Sequence, residues 1–408
     1  MPLCCPEQTR APGTLKVVLL ASYAPSLVLF RGPLIAALVA AGHEVVAVAP
    51  DIDAPLLEEL RRLGATPLDL PLSRTGMNPV HDLLYGWRLY RAMGRLRPDL
   101  VLSYTAKPNI WGAFAASAAG VRSAAMVTGL GFAFTDAGER NWKRALVQKL
   151  QTWLYRRATD RNAVVVFQNP DDRDDFIAAG CLADPGKVRM VNGSGVDLDH
   201  FRPAPPPDAP HFLMIARLLK SKGVREYAEA AIRLKARHPA ARFSLVGYFD
   251  EGPDGVAPAA VAEWQAQGLD HLGGLGDVRP ALAAASAYVL PSYREGTPRS
   301  VLEAMATGRA ILTTDVPGCR ETVVDGVNGF LVPARDADVL ADRMGWMIEN
   351  PEAVAAMGEQ SLRIAREKYD VHAVNETLMT HLGLDRPGPG RPGLTRTPDA
   401  AIEAGCRS

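Results

Sequence analysis

Long apolar runs are missing from this sequence. No run reaches the roughly 18 residues that a membrane-spanning helix needs. The early run at residues 15–21 has the length of a strand and contains Lys16. Residues 1–13 are polar and contain prolines, so they lack the apolar centre of a secretory signal peptide. We therefore expect a soluble protein.

Net charge and paired cysteines are missing as well. Lys and Arg together number 45, as do Asp and Glu, so the chain lacks the basic surface field of many nucleic-acid-binding proteins. The cysteines show neither zinc-site spacing nor a disulfide framework, which favours a reducing cytoplasm; they are Cys4, Cys5, Cys181, Cys319 and Cys406. We predict no nucleic-acid partner and no metal site.

The chain also lacks a dinucleotide-binding fingerprint. Its three glycines would follow the first predicted strand, but residues 22–26 read SYAPS there. This disfavours an enzyme that depends on NAD.

Apolar segments of strand length alternate with amphipathic helical segments, which predicts parallel sheets with helices on both faces. The predicted strands are residues 17–20, 44–49, 99–103, 124–128, 163–167, 212–215, 243–247, 288–290, 310–313 and 330–332. A chain of 408 residues exceeds the usual size of a single core. We predict an α/β fold of two doubly wound, Rossmann-like domains that face an interdomain cleft.

Composition places the domain boundaries. Proline-rich residues 201–210 cannot join a helix or a central strand, so they form the predicted linker. It separates an N-terminal domain (14–200) from a C-terminal domain (211–370), and a last amphipathic helix (371–384) is placed to pack on the first domain. The polar tails, 1–13 and 385–408, are predicted to be disordered.

Residues 288–303 combine a buried strand, a polar loop and a helix start. Ligands bind at the carboxyl ends of strands in such sheets, and the following helix directs its free N–H groups there. We therefore predict an anion site in this loop. Glu295, beside Gly296, has no helix to cap and is expected to face the ligand.

The local sequence leaves two interpretations of Glu303 open. With Ser300 as N-cap, Glu303 completes a capping box and bonds back to the Ser300 N–H. With Thr297 as N-cap and Pro298 at the first helical position, Glu303 lies further into the helix and is free to meet a ligand.

A basic turn follows the first strand of the second predicted domain. Arg217, Lys220 and Lys222 precede a helix that begins near Val224, where the helix dipole disfavours positive charge. Either a polyanion binds between these cations or the turn is simply solvated, and these residues alone do not decide.

Together these motifs resemble the retaining GT-B glycosyltransferases of family 4. The resemblance begins with Arg217 and Lys222, includes Glu295 and Glu303, continues through residues 316–321 and 325–333, and covers residues 15–384. Within the family it is closest to the capsule and O-antigen branch, which includes N-acetylgalactosaminyltransferases that act on lipid-linked sugars. The segments that carry this are residues 73–79, 105–112, 127–131 and 247–252.

The resemblance implies roles for these side chains. Arg217 and Lys222 would hold the donor diphosphate, Glu295 would accept hydroxyls of the donor sugar, and Glu303 would bind the ribose. Backbone N–H groups of Gly296, Thr297 and Arg299 would surround donor oxygens. The donor would be a nucleotide sugar, a UDP-N-acetylhexosamine or a related UDP-sugar, with no cofactor and no metal.

The first domain departs from the common family pattern. It lacks the Gly-Gly loop after the first strand, and residues 126–131 contain no histidine. Thr128 and Lys107 are our candidates for first-domain site residues, with purely structural roles as the alternative.

A lipid-linked saccharide acceptor would require docking on the cytoplasmic face of a membrane. Predicted helix 140–161 combines an apolar face with cations; these residues are Trp142, Leu146, Leu150, Trp153, Leu154, Arg140, Lys143, Arg144, Lys149, Arg156 and Arg157. A second helix, 83–97, carries Trp87, Tyr90 and arginines. The alternative is that both apolar faces pack on the sheet, and this alternative is favoured for the second helix.

We therefore predict a hexosyltransferase of polysaccharide synthesis, located in the cytoplasm or peripherally on the inner face of the membrane. Two other interpretations remain. A nucleotide-sugar 2-epimerase shares the architecture but needs a histidine and carboxylates around the anomeric carbon. A non-catalytic nucleotide-sugar-binding protein is the other, because a fold does not guarantee turnover.

Overall fold

The computed structural model describes residues 13–73, 79–130 and 142–385, and for residues 142–146 it describes only the helical backbone. Several predictions lie outside these residues. They concern the tails 1–12 and 386–408, the family-like residues 74–78 and 131, Arg140, and the side chains of Trp142, Lys143, Arg144 and Leu146.

The first half of the chain forms a parallel sheet in the order β3-β2-β1-β4-β5-β6-β7. Its strands are β1 (Lys16–Leu20), β2 (Glu44–Ala49), β3 (Ala65–Asp69), β4 (Leu100–Tyr104), β5 (Arg122–Val127), β6 (Val164–Phe167) and β7 (Val188–Met190). Its helices are α1 (Pro25–Leu29), α2 (Gly32–Ala40), α3 (Ala54–Arg62), α4 (Pro79–Leu96), α5 (Ala106–Ala118), α6 (Trp142–Thr159) and α7 (Pro170–Ala178).

The second half forms a parallel sheet in the order β10-β9-β8-β11-β12-β13. Its strands are β8 (His211–Ile215), β9 (Arg242–Val246), β10 (Asp270–His271), β11 (Ala287–Leu290), β12 (Ala310–Thr314) and β13 (Gly329–Val332). The helices that follow in the chain are α8 (Val224–Arg237), α9 (Pro258–Ala266), α10 (Arg279–Ala284), α11 (Arg299–Ala306), α12 (Ala337–Glu349), α13 (Pro351–Lys368) and α14 (Val371–Leu382).

Three strands, β3, β7 and β10, were not predicted, and all three lie at sheet edges. An edge strand needs no continuous apolar run, because one of its sides pairs with nothing. β3 contains Pro67, which has no N–H for a ladder and is tolerated at an edge. The central strands were predictable because they are buried on both faces.

Each sheet is covered on both faces. One face of the first sheet packs on α2 and also on the final helix α14, whose Val374, Leu378 and Leu382 are buried there. The other face is covered by α4, α5 and α6, with α5 contacting both neighbours. The second sheet has one large core of its own.

The chain passes between the two domains twice, and the two passages touch. Residues 201–210 join the sheets, and buried Arg309 holds this linker by donating to the Ala204 carbonyl at 2.7 Å. The return passage, before α14, is bonded to the segment that leads into this linker. The Val196 N–H donates to the Tyr369 carbonyl at 2.8 Å, and the Val371 N–H donates to the Val196 carbonyl at 3.1 Å.

Candidate active site between the domains

A cavity of about 640 Å³ lies between the two domains. The first domain lines it just beyond the carboxyl ends of β1, β4, β5 and β6, and the second domain does so beyond β8 and β11. This is the sheet edge at which ligands bind in open α/β folds. Of the predicted site residues, those that line it are Arg217, Lys222, Glu295, Gly296, Thr297, Arg299, Glu303 and Thr128.

Glu295 is part of the cavity's second-domain wall. Its Oε1 lies 2.5 Å from the Lys222 ammonium and accepts from the Ser292 hydroxyl at 2.7 Å. Its backbone N–H donates to the Pro317 carbonyl at 3.0 Å. The carboxylate is therefore fixed in position and orientation, as a group that binds a ligand in one geometry must be.

The basic turn is brought against the loop after β11 by a glycine. Gly223 has φ of +71°, and a Cβ there would lie 2.1 Å from the Pro291 carbonyl oxygen. Lys222, which precedes it, reaches Glu295, whereas Lys220 is exposed and does not line the cavity. Arg217 lies at the cavity mouth, half exposed, and pairs with Asp250 at 3.0 Å.

Both predicted starts of the helix after this loop were wrong. α11 begins at Arg299, with Pro298 as its N-cap and no side-chain capping bond. The Ser300 hydroxyl instead accepts from the Tyr288 phenol at 2.7 Å. Thr297 directs its hydroxyl to the carbonyls of Gly296 and Gln168. No side chain caps the first turn of α11, and its first two residues, Arg299 and Ser300, line the cavity.

Glu303 does not cap the helix. Its Oε1 accepts from Arg299 Nε at 2.8 Å, one turn earlier, and its side chain lines the cavity with 12 % of its area exposed. Burial raises the pKa of this carboxyl, and the neighbouring Arg299 acts in the opposite direction. A nearly buried acceptor of this kind can bind hydroxyl groups.

The backbone of the first domain at Thr128 contacts the loop between β11 and α11 at Gly296. A Cβ on Gly296 would lie 2.1 Å from the Thr128 carbonyl oxygen, so the two domains touch at a position where only glycine fits. Asn169 adds a bond from its Nδ2 to the Gly296 carbonyl at 2.5 Å. Thr128 thus lines the cavity and contacts the predicted donor loop.

Lys107 lies elsewhere. It does not line the cavity; its ammonium pairs with Asp82 of α4 at 2.7 Å and donates to the Ser73 carbonyl at 2.8 Å. These contacts tie α4 to the start of α5. They match the structural alternative that the sequence left open for this residue.

Two features of the site had no motif in the sequence. Arg31 is buried and lines the cavity from the first domain. Arg294, in the loop between β11 and α11, crosses to the first domain and pairs with Asp172 and Asp175, each at 2.6 Å. Asp172 is fully buried; burial raises its pKa, and Arg294 opposes that shift. Such contacts join residues far apart in the chain, so local spacing could not indicate them.

Comparison with known proteins identifies the family. Residues 209–350 match the family model described as glycosyl transferases group 1, and residues 32–193 match the glycosyl transferase 4-like domain. A relative from Campylobacter jejuni, named N,N'-diacetylbacillosaminyl-diphospho-undecaprenol alpha-1,3-N-acetylgalactosaminyltransferase, is 30% identical over 366 residues, 86% of this chain and 93% of that protein. The chain belongs to the group 1, family 4-like glycosyltransferases.

Further matches agree with this glycosyltransferase assignment. The UDP-Gal:alpha-D-GlcNAc-diphosphoundecaprenol alpha-1,3-galactosyltransferase of Escherichia coli is 28% identical over 264 residues, 61% of this chain and 66% of that one. The crystal structure of Anabaena HepE in complex with UDP superposes with a TM-score of 0.73 at 18% identity, covering 90% of this chain and 100% of that chain. The predicted family, enzyme class and GT-B fold are confirmed.

Proposed function

We propose that this glycosyltransferase moves a sugar from a UDP-N-acetylhexosamine or a related UDP-sugar to a lipid-diphosphate-linked saccharide with retention of anomeric configuration. The observation that carries the proposal is the interdomain cavity, which the second domain lines with three cations (Arg217, Lys222 and Arg299) and three carboxylates (Asp277, Glu295 and Glu303). The names of the Campylobacter and Escherichia relatives supply the substrate class. Synthesis of a capsule, O-antigen or other exopolysaccharide would use this reaction.

The chemistry follows from charge. When the bond between the anomeric carbon and the phosphate oxygen breaks, its electron pair stays on the departing nucleoside diphosphate. Arg217 and Lys222 would stabilise that charge, together with the free N–H groups at the start of α11. The acceptor hydroxyl would bond to the anomeric carbon on the same face, and its proton would pass to the departing phosphate oxygen. In this proposal the side chains neutralise the diphosphate without a metal ion.

Sugar and nucleoside would be read by the carboxylates. Glu295, fixed by Lys222 and Ser292, would accept hydroxyl protons of the transferred sugar. Glu303 would accept those of the ribose. A site that bonds a substrate hydroxyl strongly rejects an analogue that lacks it, since the buried acceptor would stay unpaired.

A donor screen tests the proposal. The purified enzyme is incubated with UDP-, GDP- and dTDP-sugars, with and without undecaprenyl-diphosphate-linked N-acetylhexosamine, and nucleotide release and thermal shift are recorded. We expect acceptor-dependent release of UDP. Conversion of the UDP-sugar into its 2-epimer without acceptor would favour the epimerase, binding without any turnover would favour a binding protein, and a response to nicotinamide cofactors alone would overturn the proposal.

Exposed apolar side chains of the first domain bear on the predicted membrane docking. No helix among the described residues is long and apolar enough to cross a bilayer. α4 and α6 nevertheless expose large apolar side chains on the sheet face that they share: Val80, Leu83, Trp87, Tyr90, Leu150 and Trp153. The expectation that α4 packs its apolar face on the sheet holds for Tyr85, Leu89 and Met93 but not for Trp87 and Tyr90, which are 52% and 46% exposed.

Cations lie directly beside these aromatic side chains. The Arg91 guanidinium is 5.0 Å from the Trp87 ring centroid, and that of Arg157 is 5.7 Å from the Trp153 ring centroid. Aromatic rings next to arginine suit the interface of a bilayer that contains anionic lipids. We propose that α4 and α6 hold the enzyme peripherally on the cytoplasmic membrane face.

Replacing Trp87 and Trp153 together by serine is expected to lower co-sedimentation with phosphatidylglycerol vesicles by at least about tenfold. The reason is that two indole rings inserted into the bilayer interface contribute several kcal/mol of transfer free energy. Val324→Ser, an equally exposed apolar residue of the second domain, serves as the control and should bind like the wild type. Equal binding of the double variant and the control would refute this docking surface.

A further inference from the structure

Arg31 is a buried arginine without a strong partner. It precedes α2 and is only 4% exposed, yet it lines the cavity. Its Nη2 donates to the thioether sulfur of Met126 at 2.9 Å, and its Nε has no hydrogen-bond partner. Its guanidinium lies 5.1 Å from the centroid of the Tyr104 ring. A thioether is a weak acceptor, so most of the guanidinium's bonding capacity is unused.

This arrangement is costly unless something compensates it. No carboxylate among the described residues forms an ion pair with Arg31, and a buried unpaired charge is strongly unfavourable. Burial lowers the pKa of Arg31, the Tyr104 hydroxyl raises it, and the charge of Arg299 lowers it further. The charge of Arg299 therefore repels that of Arg31 and does not compensate it. Arg299 itself already has a partner in Glu303.

A second buried arginine shows what a structural role looks like. Arg309 is fully buried, and its guanidinium donates to the carbonyls of Ala204 and Pro205 in the linker. These acceptors lie within the protein and Arg309 lines no part of the cavity. Arg31 differs on both points. It lines the cavity, and among the described residues its guanidinium has the weak Met126 thioether as an acceptor in place of carbonyl oxygens.

We propose that Arg31 binds a phosphate oxyanion of a substrate from the first-domain side of the cleft. The inference rests on the proposed function, which places two diphosphates near this cavity. The planar guanidinium matches phosphate oxygens with paired bonds, and a desolvated setting strengthens them. The phosphate belongs either to the donor or to the lipid-linked acceptor. Arg31 would then complete a set of cations whose other members, Arg217 and Lys222, belong to the second domain.

A phosphate bound by Arg31 would also lie close to Arg299 of the second domain. Arg299, the first residue of α11, lines the same cavity as Arg31. The Arg299 guanidinium lies 5.5 Å from the centroid of the Phe30 ring, and Phe30 is next to Arg31 in the chain. A phosphate between the two arginines would neutralise their mutual repulsion. Ligand binding would therefore hold the first domain against α11.

The test uses Arg31→Met, which keeps the length and removes the charge, and Arg31→Lys, which keeps the charge and loses the planar fork. Arg61→Met is the matched control, an exposed arginine of α3 outside the cavity. The measurements are the Tm of ligand-free enzyme, calorimetric affinities for UDP, uridine and inorganic pyrophosphate, and the KM for the lipid-linked acceptor.

If the donor supplies the phosphate, Arg31→Met should weaken UDP and pyrophosphate binding by about 10- to 100-fold and leave uridine binding unchanged. If the acceptor supplies it, the acceptor KM should rise by a similar factor while UDP affinity is kept. In both cases Arg31→Lys should recover part of the loss, and the Tm of ligand-free Arg31→Met should equal or exceed that of the wild type, because an unpaired buried charge has been removed.

The inference is overturned if Arg31→Met leaves all three affinities and the acceptor KM within twofold of Arg61→Met, whatever its Tm. This outcome is distinct from failure of the proposed function. That failure would appear in the wild type as the absence of any response to UDP-sugars, and the pyrophosphate titration would still report on Arg31.

Discussion

Replacing Lys222 by methionine is expected to lower kcat by about 10²- to 10³-fold, as removal of one fixed donor at a developing negative charge does in other enzymes. Two effects combine at this position. The departing diphosphate loses a cation, and Glu295 loses the ammonium that fixes its Oε1 at 2.5 Å. The rate of UDP release at saturating donor and acceptor measures the effect.

Lys220→Met is the matched control, because Lys220 lies in the same basic turn but is exposed and outside the cavity. We expect its kcat to stay within twofold of the wild type. Circular dichroism and Tm of both variants separate lost chemistry from lost folding. A Lys222→Met enzyme that folds normally and keeps more than a tenth of its activity would show that the leaving group is stabilised elsewhere.

Gly296→Ala is expected to lower kcat/KM by about 100-fold, a loss of the size that small misplacements of reacting groups produce. The added methyl would lie 2.1 Å from the Thr128 carbonyl oxygen, so the domains would have to separate by an ångström or more. The backbone itself would tolerate alanine, because Gly296 is not among the glycines with positive φ. The expected defect is therefore that the two domains cannot come as close together as in the wild type. Small-angle scattering together with steady-state kinetics measures it.

Gly94→Ala provides the comparison for this variant. Gly94 lies in α4, where a Cβ would meet nothing within 4 Å. Its kinetics should match those of the wild type, and the added helix propensity should raise its stability by up to about 1 kcal/mol. If Gly296→Ala behaved in the same way, contact between Thr128 and the donor loop would not be needed for turnover.

The central strands of both sheets could be predicted from the sequence because their apolar runs are buried on both faces. Strand β3 could not be predicted in this way. It pairs with a neighbouring strand on one side only, and Pro67 interrupts its apolar run. The start of α11 was missed for another reason. Ser300 has the right residue type for a cap, but its hydroxyl bonds to Tyr288, a choice made by tertiary contacts rather than by local propensity.

The residues predicted for the second-domain side lie in two short stretches with family-like spacing, the turn after β8 and the loop after β11 with the start of α11. Arg217, Lys222, Glu295 and Glu303 all line one cavity. The first-domain side has no such spacing. Arg31 looks like any arginine at a helix start, and what distinguishes it is burial beside the cavity with the Met126 thioether as a hydrogen-bond acceptor. Lys107 follows a strand end as expected, but Asp82, brought close by α4, directs it away from the cavity.

The return of α14 to the first sheet affects how the protein is made. Val374, Leu378 and Leu382, near the end of the described chain, complete a core that begins with Val17 and Leu19. Domains generally fold as they leave the ribosome, the N-terminal one first. Here the first domain lacks part of its core until the second has been synthesised, so we expect the second domain to reach its native packing first. A chain stopped before residue 371 would leave an apolar face of the first sheet exposed to other unfinished chains.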